Sequence, residues 1–171
     1  GVFFELKDNK LSLIAVDGFH AMKDTIDLIS LTGHARGIVP LDSVDELSKI
    51  AMGDMALVGD GYRFIFYGQG WTFVTQLVEG TFPDVDQLFP RRGKTRVVID
   101  AKEMLGAVKR CALITEENVR VNTAAGEGEI SLASTDNENG EHIETVAAQV
   151  EGDPLTIGMN HKQLANVLPV V

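Results

Sequence analysis

Apolar and polar residues alternate with a period of two through most of this chain, and three times the alternation gives way to a helical period. Residues 2–6 and 11–16 read as strands around Asp8-Asn9-Lys10, a compact hairpin signal. Asp17-Gly18 should turn the chain next, with Gly18 supplying a positive φ, and a less regular strand spans 21–31. Gly37-Ile38-Val39-Pro40 runs straight into a helix in which Val44, Leu47, Ile50 and Ala51 share the inward face. Asp42, Asp45 and Glu46 make its opening acidic, which suits the positive end of a helix dipole. Strands at 55–58, 62–67 and 71–78, punctuated by Gly59-Asp60-Gly61 and Gly68-Gln69-Gly70, predict an antiparallel meander.

A second half repeats the scheme. A strand at 95–99 meets Asp100-Ala101-Lys102-Glu103, a capping box that opens a helix running to about residue 114. Met104, Leu105, Val108, Cys111 and Ala112 form its inward face. Strands follow at 119–122, 129–134, 144–150 and 155–159. The last runs into Asn160, the N-cap of a third helix with Leu164, Val167 and Leu168 inward. A strand feeding directly into an amphipathic helix thus recurs near residues 38, 97 and 156, about sixty residues apart. Recurrence of this kind predicts α+β units with helices packed on one face of antiparallel sheets.

Between the halves lies Gln76 to Pro90. Pro83 and Pro90 fix their own φ and bias Phe82 and Phe89 towards extended backbone. A flexible linker would be rich in Gly and Ser. Phe82, Leu88 and Phe89 instead call for a packing surface, so this stretch reads as a semi-rigid joint. Arg91-Arg92-Gly93-Lys94-Thr95-Arg96 follows it, four positive charges in six residues.

Composition narrows the classes. The net charge of −10 argues against a surface that attracts nucleic acid or anionic lipid everywhere, while leaving room for a local basic stripe. A single cysteine, Cys111, fits a reducing compartment, and its place on an inward helix face makes it a packing thiol. No run reaches the roughly 18 apolar residues of a membrane span. Gly1 already sits inside a strand pattern, and the chain reads as a piece of a longer protein.

Few residues suggest chemistry. The glycine pairs lack the following helix that a phosphate cradle needs. Asp136-Asn137-Glu138-Asn139-Gly140 has its glycine one place early for a calcium loop and reads as an acidic hairpin turn. His34, His142 and His161 read as surface residues without metal-ligand spacing, and no metal or cofactor is expected. Asp17 and His20 could pose as an acid/base pair, but no nucleophile is placed beside them, so an enzyme is the weaker class. Trp71 and Phe73 alternate within a strand, which favours sheet packing over base stacking.

The exposed helix faces are more informative. Lys102 and Lys109 lie seven residues apart opposite the core face, with Arg110 at the flank. Lys49 and Lys162 point outward on the first and third helices. Cations spaced in this way suit loose contact along a phosphate backbone without base reading.

With the repeat, the turn and the joint in view, the chain resembles the bacterial β sliding clamp family, the processivity subunits of DNA polymerase III. The resemblance rests on Gly1-Val-Phe-Phe-Glu5, Leu13-Ile-Ala-Val-Asp-Gly18, Ile38-Val-Pro40 and Leu77-Val-Glu-Gly-Thr-Phe-Pro-Asp84. Phe89-Pro90, Leu105-Gly-Ala-Val-Lys-Arg110, Ile157-Gly-Met-Asn160 and Val167-Leu168 continue it. It covers essentially the whole chain.

The resemblance implies a DNA clamp (processivity) fold in which sheets surround helices that line a hole for duplex DNA. It implies no catalysis and no cofactor. Residues 1–83 would be most of the middle domain, 84–96 the joint, and 97–171 the first half of the third domain. A homodimeric ring in the cytoplasm would hold the replicative polymerase and clamp loader through short Gln/Leu/Phe-containing peptides. The groove for those peptides would be walled by Val16, Gly18, Phe19, His20, Ala21, Pro83, Gln87 and Leu88, and Lys49, Lys102, Lys109, Arg110 and Lys162 would face DNA. Where the family usually reads Thr-Asp-Gly-His-Arg-Leu, this chain has Val16-Asp17-Gly18-Phe19-His20-Ala21, which makes the groove more apolar and less charged. The rival class is a peptide-binding interaction module with no role on DNA.

Overall fold

Asp8 (φ 52°) and Asn9 (φ 60°) turn strand β1 (Val2–Lys7) back into β2 (Lys10–Val16). This is the left-handed pair that a two-residue antiparallel connection requires. The structure, a computed structural model, describes residues 1–89, 93–114, 118–123, 128–136 and 140–170. It divides into two compact units, Gly1–Phe89 and Pro90–Val171.

In the first unit, β3 (Ala21–Asp27) and β4 (Ala35–Val39) complete an antiparallel sheet in the order β3-β2-β1-β4. Helix α1 (Leu41–Ile50) leads to a meander of β5 (Ala56–Gly59), β6 (Arg63–Gly68) and β7 (Trp71–Gln76). Alternation decides what goes inside. Phe4 and Leu6 from β1, Val39 from β4, Leu47 from α1, and Phe64 and Phe66 from β6 form one buried cluster. The Phe4 ring lies 6.1 Å from Phe64 and 6.2 Å from Phe66, within the range where aromatic pairs add to simple burial. Trp71 and Phe73 pack against this cluster, as their alternation suggested.

The end of this unit is partly anchored. Phe82 stacks on Phe3 with centroids 4.8 Å apart, and Val85 is buried ahead of a 3₁₀ turn at Asp86–Leu88. Phe89 is half-buried, whereas Leu88, also expected to pack, stays 63% exposed.

In the second unit, β8 (Thr95–Ile99) enters α2 (Ala101–Cys111), and β9 (Asn118–Thr123), β10 (Glu129–Asp136) and β11 (Gly140–Gly152) follow. Then β12 (Leu155–Asn160) enters α3 (His161–Val167). The sheet order is β12-β9-β10-β11-β8, antiparallel throughout. Met104, Ala107, Val108 and Cys111 of α2 bury against Val119, Val121, Ile130, Leu132, Val146 and Ala148, and Leu164 of α3 and Leu168 just after it pack against them. The helix starts follow from their caps. The Asp100 side chain accepts from the backbone N–H groups of Lys102 and Glu103, and Asn160 does the same for Lys162 and Gln163. Pro40 starts α1 without a side-chain cap.

All three strand-to-helix junctions are present, and the fold is α+β with antiparallel sheets and few helices. Several finer expectations need correction. Helix α2 ends at Cys111 and not near residue 114, and its inward face includes Ala107, fully buried, which the residue pattern passed over. Ile50 and Val167, expected inward, sit in last helical turns and are each 37% exposed. His161, expected at the surface, is buried. Strand β3 stops at Asp27, and β7 stops at Gln76, with Val78 forming a separate bridge to Ile38. Arg91 and Arg92 of the basic run, and residues 137–139 of the acidic turn, lie outside the described residues.

Candidate functional site

The β2–β3 turn is organised by one carboxylate. Val16 and Ala21 are register partners, and the Asp17 N–H donates to the His20 carbonyl at 3.0 Å. Asp17 Oδ1 accepts from the backbone N–H groups of Phe19 and His20, both at 2.7 Å, and His20 Nδ1 lies 3.0 Å from Oδ2. Gly18 is not among the positive-φ glycines, which corrects the expected turn mechanism: the Asp17 side chain, not glycine's freedom, bends the chain. With three chain atoms bound to the carboxylate, Phe19 projects outward, 80% exposed. His20 Nε2 is buried and has no hydrogen-bond partner among the described residues.

The bond from His20, followed by those from the Phe19 and His20 backbone, lowers the Asp17 pKa from 3.8 to about 2. A carboxyl whose folded pKa is depressed stabilises its surroundings above the unfolded value and loses that effect as pH falls through the folded one. The turn is therefore expected to stay ordered above pH 3.8 and to loosen as pH falls through about 2. Amide chemical shifts of Phe19 and His20 followed through an acid titration would read this directly. A midpoint near 3.8 would show that the carboxylate does not hold the turn.

Pro83, Gln87 and Leu88 lie further along the same unit, all exposed. Gln87 Nε2 reaches Asp84 Oδ2 at 3.5 Å, and the Leu88 N–H donates to the Val85 carbonyl at 2.9 Å. Among the described residues, no hydrogen bond, ion pair or ring contact joins these three to the turn at 16–21. The structure thus provides two exposed elements, each bearing a large apolar side chain, Phe19 on one and Leu88 on the other.

The expected DNA-facing cations divide into two sets. Lys102, Lys109 and Lys162 are exposed and make no ion pair among the described residues. Lys49 Nζ, in contrast, bonds Glu46 Oε1 at 2.7 Å. Arg110 is tied to Glu144 of β11, its Nε 3.1 and 3.0 Å from the two carboxylate oxygens and its Nη2 also on Oε1. Bonds from Arg110 hold the Glu144 carboxyl below its usual range, with a smaller effect from His142. The Glu144 contact was not visible in the sequence, because its partners are 34 residues apart. Cys111 is fully buried, and burial raises its thiol pKa, which fits a packing residue. Among the described residues, no group of three or more His, Cys, Asp or Glu could hold a metal ion, and no helix is long and apolar enough to cross a membrane.

Residues 86–171 match the family described as DNA polymerase III beta subunit, C-terminal domain. The chain belongs to the DNA polymerase III beta-subunit family. The beta sliding clamp of Bacillus subtilis (strain 168) is 30% identical over 141 residues, covering 78% of this chain and 37% of the relative. That of Staphylococcus aureus (strain Mu50) is 28% identical over 177 residues, covering 100% of this chain and 47% of the relative. Among solved structures, the DNA polymerase III beta subunit from Thermotoga maritima is 29% identical with a TM-score of 0.87, covering 100% of this chain and 48% of that one. A Pseudomonas aeruginosa sliding clamp solved with griselimycin bound is 26% identical with a TM-score of 0.87, at the same coverage. The chain therefore spans less than half the length of these relatives.

Proposed function

We propose that this chain is part of a DNA polymerase processivity factor: a non-catalytic sliding clamp that encircles duplex DNA and tethers the replicative polymerase and clamp loader. The observation that carries this reading is the likeness to solved sliding clamps along all of the chain, at a TM-score of 0.87 for the Thermotoga maritima subunit. On this reading, residues 1–83 are most of a middle domain, 84–96 a joint, and 97–171 the first half of a third domain. Lys102, Lys109 and Lys162 face the duplex, and the protein works in the cytoplasm, where DNA is replicated. The turn residues Val16, Gly18, Phe19, His20 and Ala21 and the joint residues Pro83, Gln87 and Leu88 form the slot for short Gln/Leu/Phe-containing peptides. Two observations support the slot. Phe19 and Leu88 are exposed large apolar groups whose backbone N–H groups are hydrogen-bonded within their own turns, and a related clamp accepts griselimycin.

A closed homodimeric ring is part of the same reading. β10 pairs one edge of β11 from Gly140 to Ala147, while β8 pairs the opposite edge only from Ala148 to Gly152. The opposite edge of residues 140–147 has no strand beside it among the described residues, which is the kind of edge that strand addition from another chain completes.

Duplex binding tests this function. The chain should bind duplexes of unrelated sequence weakly and equally, with log K falling against log salt at a slope of about −2 to −3, roughly 0.9 for each of two or three phosphates neutralised. A peptide-binding module with no role on DNA would show no binding even at low salt.

A further inference from the structure

We propose that Glu144 withholds Arg110 from the duplex-facing surface of α2, so that the helix meets DNA through Lys102 and Lys109 alone. The inference rests on the duplex-contact reading above. Arg110 sits on the exposed flank of α2, and its side chain is 56% exposed, so an incoming phosphate could reach it. Its fork is nevertheless occupied. Both Glu144 oxygens accept from it, and His142 Nε2 lies 3.4 Å from Oε2 on the other side, fixing the carboxylate. Gly106 makes room for this arrangement: a Cβ there would stand 3.3 Å from Arg110 Nη1. Lys102, Gly106, Arg110 and Glu144 line one cleft of about 340 Å³ between α2 and β11, so a released Arg110 would stand on the same stripe as Lys102.

The chemistry explains why holding it back matters. A guanidinium grips phosphate with two parallel hydrogen bonds in a fixed geometry, whereas a lysine is a flexible point charge. A surface that must move along a backbone is better served by lysines, and the bidentate group is satisfied within the protein.

The test is duplex affinity, by fluorescence anisotropy at about 0.1 M salt, of the whole chain and its variants. One further phosphate neutralised corresponds to about eightfold at that salt and steepens the log–log salt slope by about 0.9. Glu144→Gln should therefore bind several-fold more tightly and with the steeper slope. Glu129→Gln removes the same charge from an exposed position of the neighbouring strand β10 and should change affinity less than twofold. Arg110→Gln should match the wild type within twofold, and Glu144→Gln combined with Arg110→Gln should lose the gain. Equal affinities for Glu144→Gln and Glu129→Gln would overturn the inference. So would a loss in Arg110→Gln comparable to that in Lys102→Gln, and this arm decides the matter even if Glu144→Gln does not fold. No duplex binding by the wild type or by Glu144→Gln would instead overturn the duplex-contact reading itself.

Discussion

Replacing Lys102 and Lys109 together by glutamate is expected to lower duplex affinity on the order of 50-fold at 0.1 M salt, because each lysine–phosphate pair is worth about eightfold there. The two residues sit seven positions apart on α2, about 10 Å along the axis at 1.5 Å per residue, so on the proposed reading they would meet separate phosphates. Both side chains are exposed, and the helix is held by its opposite face through Met104, Ala107, Val108 and Cys111. The melting temperature should consequently change little: the Asp100 cap bonds the Lys102 backbone and not its side chain, and an acidic residue is favoured in the first turn of a helix and disfavoured in the last, so the two substitutions offset. Affinity and its salt slope should fall together, the slope by nearly two. Unchanged affinity would remove α2 from the duplex surface.

The largest effect on stability is expected from Gly152→Ala. Gly152 ends β11 with φ +101°, and a Cβ added there would stand 1.9 Å from the Lys94 carbonyl oxygen. That oxygen belongs to the backbone that leads into β8 and cannot rotate away as a side chain would. The same corner is tied by Thr95 Oγ1 donating to the Asp153 carbonyl at 2.7 Å, so the strain would fall on the β8–β11 pairing. Left-handed strain for a non-glycine residue costs about 1–2 kcal/mol and overpacking about 1–3 kcal/mol, so a loss of about 3 kcal/mol is expected. For a unit of this size that lowers the melting temperature by roughly 10 °C or more. A calorimetric scan would show it as early melting of the second unit, and a variant that melts with the wild type would mean the corner relaxes without cost.

Much of this architecture could be read from the chain because its signals are local. Asp100 and Asn160 cap their helices through their own side chains, and Asp8-Asn9 adopts the backbone its residue types favour. The β-alternation marked the runs that became β1 and β6, whose Phe4, Phe64 and Phe66 are buried in the structure. What escaped was non-local. Arg110 and Glu144 meet only because α2 crosses β11, so a side chain read as a free cation turned out to be engaged. His161 looks polar in sequence yet is buried at the start of α3, and Ile50 and Val167 keep the helical period while their last turns leave the core. At the turn, Asp17-Gly18 carries two turn signals at once, and the one that operates is the Asp17 carboxylate bonding the following N–H groups, not a positive φ at Gly18. The exposed Phe19 and Leu88 could be named as groove residues only through the family resemblance, because an isolated exposed apolar residue carries no meaning by itself.

The tethering role is tested most directly by titrating the chain with a labelled Gln-Leu-x-Leu-Phe peptide, alongside Leu88→Asp. Leu88 is 63% exposed, so the substitution should leave the fold intact while placing a charge in the slot proposed for the peptide's apolar end. Binding in the micromolar range, about −8 kcal/mol, is expected for the wild type, with loss of measurable binding in the variant. Full affinity in Leu88→Asp, or no binding by the wild type, would contradict the assignment of Phe19 and Leu88 to the surface that holds the polymerase.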